Sequence, residues 1–154
     1  MNLLDQKNIK LGNEFIKKGF IIHKVKNLDA LLYLQNRIIK ETKLKKNQNQ
    51  NENLSFLDNV HKKIKIKNLN DLRVKIMRRI NNDKKFKKFI YEISKDLLNS
   101  LVGNELVMQK RVNLSIQFPN DKSSLLPVHS DTWSGLSPYE VVVWIPLVNC
   151  YNTK

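Results

Sequence analysis

The stretch RVNLSIQFPNDKSSLLPVHSDTWSGLSPYEVVVWIPLVNCYNTK, residues 111–154, decides how the rest of the chain is read. In RVNLSIQF (111–118) the apolar side chains Val112, Leu114, Ile116 and Phe118 alternate with Arg111, Asn113, Ser115 and Gln117. A period of two marks an extended chain with one face buried. PNDKSS (119–124) reads as a turn. YEVVVWIPLVN (139–149) is rich in β-branched and aromatic residues and predicts a buried strand with Trp144 in the core.

Upstream of Gly103 the apolar period is 3.6. Residues 5–18 predict a short helix that stops at Gly19, and GFIIHKV (19–25) predicts a strand. Asn27 suits the N-cap of a helix from Leu28 to about Leu44, with Leu28, Leu31, Leu32, Ile38 and Ile39 facing inward. NQNQNEN (47–53) is polar and of low complexity, so a mobile loop is expected there. Ser55 with Asp58 and Asn68 with Asp71 have the spacing of capping boxes, predicting helices near 56–66 and 69–81. Asp83 caps a stronger helix whose apolar stripe runs from Phe86 to Leu101 and ends at Gly103. Helices followed by antiparallel-type strands make an α+β pattern.

Charge follows the same division. The 154 residues carry a net charge of +14, but residues 1–112 hold 26 basic and 11 acidic side chains while residues 113–154 hold 2 and 3. Chemistry shielded from water is therefore expected in the second part. The basic part invites a nucleic-acid reading. Lysine outnumbers arginine 23 to 5, however, and Asn occurs 20 times against a single alanine, Ala30. That is the profile of an AT-rich coding sequence, and scarce arginine disfavours bidentate recognition of phosphates and bases. No apolar run approaches the ~20 residues of a membrane span, and the first residues lack the apolar core of a secretory signal. Cys150 is the sole cysteine, which excludes an internal disulfide framework. A cytoplasmic protein without membrane association is expected.

His129 and Asp131 are the most informative residues. In extended backbone, positions i and i+2 point the same way, so an imidazole and a carboxylate can hold one metal ion from a single short segment. Two histidines and one carboxylate form the facial triad of non-haem Fe(II) oxygenases, which leaves open positions for a cosubstrate and dioxygen. Alone the pair is weak, and a loop aspartate capping the next turn beside a partly exposed histidine explains it equally well.

The succession HSDTWSGLSPYEVVVWIPLVNCYNTK, preceded by the early segment NEFIKKGFIIHKVKNLDALLYL, resembles the 2-oxoglutarate/Fe(II)-dependent dioxygenases of the phytanoyl-CoA hydroxylase-like type. It is most similar to the oxygenases of sporadically distributed bacterial carbohydrate-biosynthesis clusters. The resemblance is specific from about Val112 to Lys154 and general before that. It implies helices packed outside a double-stranded β-helix, a cupin-like jelly roll. It carries His129 and Asp131 over as iron ligands and catalytic residues, with Fe(II) and 2-oxoglutarate as cofactor and cosubstrate and O2 as oxidant. The implied chemistry is oxidative decarboxylation of 2-oxoglutarate coupled to oxidation of a sugar, or of a sugar-bearing precursor of a surface polysaccharide. If the polar face of 111–118 looks into such a roll, Asn113 and Gln117 touch 2-oxoglutarate or substrate; otherwise they face solvent. Trp133 either lines the substrate mouth, stacking on a sugar ring, or packs its own loop.

The family's second histidine and the arginine that pairs with 2-oxoglutarate lie well downstream of the first pair. Here the remaining histidines, His23 and His61, both lie upstream and read as structural or solvated. Three or four strands are legible where a roll needs about eight. The expected organisation is thus a mainly helical support region (1–104) with one early strand, and the first strands of an incomplete roll (105–154) bearing the iron pair. The simplest expectation is the N-terminal part of a longer enzyme, with weak metal binding and no turnover in isolation. The open edges of an unfinished roll leave room for self-association. Three other readings stand beside this one: a non-catalytic basic helical module that binds nucleic acid or another polyanion through residues 40–88, an inactive oxygenase remnant, and a cupin-like metal-binding or isomerase domain.

Overall fold

A computed structural model describes residues 5–44, 49–103, 105–119, 121–122 and 127–150. Five α-helices lie among them: α1 (Gln6–Lys18), α2 (Leu28–Thr42), α3 (Gln50–Asp58), α4 (Leu69–Asn81) and α5 (Lys84–Leu101). Four begin on a side-chain cap. The side chain of Asp5 accepts from the Lys7 N–H at 3.4 Å, Asn27 from Ala30 at 3.0 Å, Asn49 from Glu52 at 3.0 Å and Asp83 from Phe86 at 3.1 Å. Each satisfies an N–H that the first helical turn leaves without a partner. α1 closes on Gly19, whose φ of 76° is the left-handed conformation glycine adopts without strain.

α2 is the central helix and packs against α3, α4 and α5, while α1 packs on α5. Leu34 and Ile38 of α2, Ile76 and Ile80 of α4 and Phe86 of α5 form the buried cluster. Tyr33 meets Phe89 edge-on at 4.9 Å between ring centroids, extending that cluster to the surface. Leu28, placed on the inward face of α2 by its spacing, is half exposed, and Leu34 and Gln35 are buried instead. No described helix is long and apolar enough to cross a membrane.

Several local expectations are corrected. GFIIHKV forms no strand; residues 20–27 are an irregular connection from α1 to α2. The polar run at 47–53 is not a loop throughout: Asn49 caps α3, which starts at Gln50, while residues 47 and 48 lie outside the described residues. Within α3, Asn53 is fully buried and donates to Asn36 Oδ1 at 2.8 Å across to α2. The helix expected near 56–66 instead ends at Asp58 and gives way to two short 3-10 turns, Val60–Lys62 and Ile66–Asn68. Asn68 makes no side-chain cap bond, although α4 starts where the spacing put it.

The largest correction concerns the sheet. Among the described residues there is no β-strand, so the α+β expectation and its incomplete double-stranded β-helix are overturned. The period-two reading of 111–118 holds at the level of burial: Val112, Leu114 and Ile116 are half-buried, Phe118 is buried, and the intervening residues are exposed. Val112, Leu114 and Ile116 lie on the helical cluster, as does Leu147.

What the segment lacks is a strand beside it. Helix side chains bond its backbone in place of one. The Asn81 side chain donates to Val112 O at 2.9 Å and accepts from Val112 N at 2.8 Å, the two bonds a neighbouring strand would make. Arg73 donates to Ile116 O and Gln35 Nε2 to Leu147 O at 3.0 Å. A buried strand at 139–149 is likewise corrected: Trp144 is 70% exposed and Val142 67%, since only the end of this segment reaches the helices. Asn81→Leu keeps the side-chain volume but removes both bonds to Val112. A loss of about 1–3 kcal/mol is expected, with faster amide exchange at Val112 than at the α2 amides, measured by native-state hydrogen exchange.

Candidate metal centre

The segment that carries His129 and Asp131 is shaped by its backbone. Ser130 is extended, at φ −119° and ψ 136°, which sends the side chains on either side of it in the same direction. The chain then folds into a 3-10 turn over Asp131–Ser134, closed by the Trp133 N–H donating to Ser130 O at 3.0 Å and the Gly135 N–H donating to Thr132 O at 3.1 Å. Gly135 ends the turn at φ 84°, so a side chain there would strain it. Upstream, the turn after Phe118 is held to α4 by Arg73, which bonds Ile116 O and pairs with Asp121 at 3.3 Å.

His129 Nδ1 lies 2.8 Å from Pro127 O. A carbonyl only accepts, so Nδ1 carries the proton and, in the neutral ring, Nε2 presents its lone pair. Nε2 sits 3.7 Å from Asp131 Oδ1. Backbone bonding at one ring nitrogen is the usual way a metal-ligating histidine is oriented for work at the other. Two donors at metal bonds of about 2.1 Å and a right angle stand about 3 Å apart. The observed separation is wider than that by about 0.7 Å. Both side chains are about half exposed, at 47% and 50%. An imidazole nitrogen and a carboxylate oxygen are donor types that a divalent ion such as Fe(II) accepts. Among the described residues no group of three His, Cys, Asp or Glu side chains converges to hold one.

Trp133 stands on the same turn as Asp131 and is 76% exposed, an aromatic face open to solvent beside the pair. Asn113 and Gln117 occupy the exposed face of the extended segment, turned away from the helical cluster. Among the described residues no strand flanks that face. His61 meets Phe118 edge-on at 6.3 Å, a packing role. His23 borders a small cavity of about 140 Å³ with Glu92 and Asp96. Cys150 is exposed.

Sequence reasoning missed the residues that anchor the segment. Gln35, Arg73 and Asn81 sit on helices, and nothing in their local spacing announces a backbone partner 31 to 112 residues away. A polar residue on an otherwise apolar helical face is the only trace Gln35 leaves. No family model, curated protein or solved structure matches the chain.

Proposed function

We propose that His129 and Asp131 are two ligands of the iron in a 2-oxoglutarate-dependent non-haem oxygenase acting on a sugar or a sugar-bearing precursor. The observation that supports this reading is the orientation of His129. Its Nδ1–H is taken up by Pro127 O, and Nε2 is left on the side where Asp131 Oδ1 stands 3.7 Å away. The similarity of HSDTWSGLSPYEVVVWIPLVN to such oxygenases supplies the identity of the ion and the cosubstrate. Bound Fe(II) would supply the coupling of 2-oxoglutarate decarboxylation to oxidation of the substrate by O2. His129 and Asp131 hold the ion, the carboxylate offsetting part of its charge, and Trp133 offers an apolar face to a sugar ring.

Two protein donors hold a divalent ion weakly, so this chain alone is expected to bind Fe(II) without turnover. Anaerobic calorimetric titration with Fe(II) tests the pair. Because 2-oxoglutarate chelates through two oxygens, its presence should tighten binding. His129→Ala and Asp131→Ala should each weaken it at least ~10-fold, the loss expected when a ligand or its support is removed. Equal affinity in both variants and the parent would overturn the assignment.

A further inference from the structure

We propose that the cleft between the end of α2, the 63–68 connection and α4 binds a small organic phosphate carrying at least two negative charges. The cleft is a wide-open surface depression of about 690 Å³. Lys63, Lys65, Lys67 and Lys75 line it, against the single carboxylate of Asp71. Two of these lysines have other engagements. Lys75 Nζ bonds Glu41 O and stands 4.0 Å from the Glu41 carboxylate, and Lys63 Nζ lies 5.1 Å over the Phe56 ring. Lys65 and Lys67 are exposed and make no ion pair or side-chain hydrogen bond with any described residue. Their charge is therefore free to act on a ligand.

The rest of the lining selects among anions. Leu44, Ile64 and Leu72 give the cleft an apolar portion beside the lysines, which suits an uncharged body joined to the phosphates. Among the described residues no aromatic side chain lines it, so they offer a single strand of nucleic acid no stacking platform there. The cationic side chains lining the cleft are lysines, which meet phosphate as point charges. The cleft shares no residue with the His129–Asp131 pair, and its failure would leave the oxygenase reading untouched.

The test is a titration of the full chain with inorganic tripolyphosphate, followed by amide chemical-shift changes. Saturable shifts at residues 63–68 and 71–75 are expected. Lys65→Glu with Lys67→Glu should weaken binding at least ~10-fold without altering the thermal transition, since neither side chain bonds or pairs with a described residue. Lys7→Glu with Lys17→Glu, on α1, makes the same change in net charge and should leave the affinity within twofold. Equal weakening by both double variants would reduce the effect to net charge and overturn the site. So would the absence of saturable shifts. A 15-nucleotide single strand that binds through the same residues more than ~100-fold tighter than tripolyphosphate would overturn the small-ligand assignment in favour of nucleic acid.

Discussion

Asp83→Ala is expected to remove about 3–5 kcal/mol of folding stability, read as a lower urea midpoint at pH 7. One carboxylate does three jobs. Its Oδ1 caps α5 through the Phe86 N–H at 3.1 Å. Its Oδ2 accepts from Arg37 Nε at 2.8 Å and from the Tyr33 hydroxyl at 3.0 Å, tying α5 to α2. Removing it leaves the Arg37 guanidinium, only 20% exposed, with Glu41 as its remaining partner.

Burial by itself pushes the Asp83 carboxyl up. The Phe86 N–H, the Arg37 guanidinium and the Tyr33 hydroxyl outweigh it and hold the group below the usual aspartate range. The same contact, added to burial, pushes the Tyr33 hydroxyl up. Because the folded pKa of Asp83 is depressed, its contribution is fully present above the unfolded value of about 3.9 and is lost as pH falls through the lower folded value. The parent should therefore lose stability below about pH 4, and Asp83→Asn, which keeps a cap, should flatten that part of the acid profile.

Ile76→Ala is expected to cost about 2–5 kcal/mol. Ile76 is fully buried at the centre of the cluster of Leu34, Ile38, Ile80 and Phe86. Truncation removes apolar contact and opens a cavity that four neighbours from three helices cannot all close. Ile76→Val should cost only about 0.5–1.5 kcal/mol, and the ratio of the two separates cavity formation from general disruption of α4. Domains of this size are typically stable by about 5–15 kcal/mol, so Ile76→Ala should lower the midpoint of chemical denaturation severalfold more than the valine variant.

The helices were legible because local rules and packing agree in them. Asn27, Asp83 and Gly19 mark boundaries that the structure keeps, and Phe86, Phe89, Ile90 and Ile93 of the α5 stripe face the core as their spacing requires. The sheet was misread because period two reports a buried face and says nothing of what lies alongside. Val112, Leu114, Ile116 and Phe118 are inward as expected, but the bonds that a strand would supply come from Asn81 and Arg73, dispersed along α4. In the site, the i, i+2 geometry of His129 and Asp131 followed from extended backbone at Ser130. The Pro127 carbonyl that fixes the imidazole was invisible, since any backbone carbonyl can do this and only the path of the chain selects which.

The decisive measurement is paramagnetic broadening of amide signals by Mn(II), an oxygen- and imidazole-binding ion that reports its position without turnover. If His129 and Asp131 hold a metal, substoichiometric Mn(II) should erase the signals of residues 128–133 first. The effect should vanish in the His129→Ala, Asp131→Ala double variant while the helical amides stay unchanged. Broadening that persists in the double variant, or that centres on Glu92 and Asp96 of α5, would contradict a metal centre at His129 and Asp131.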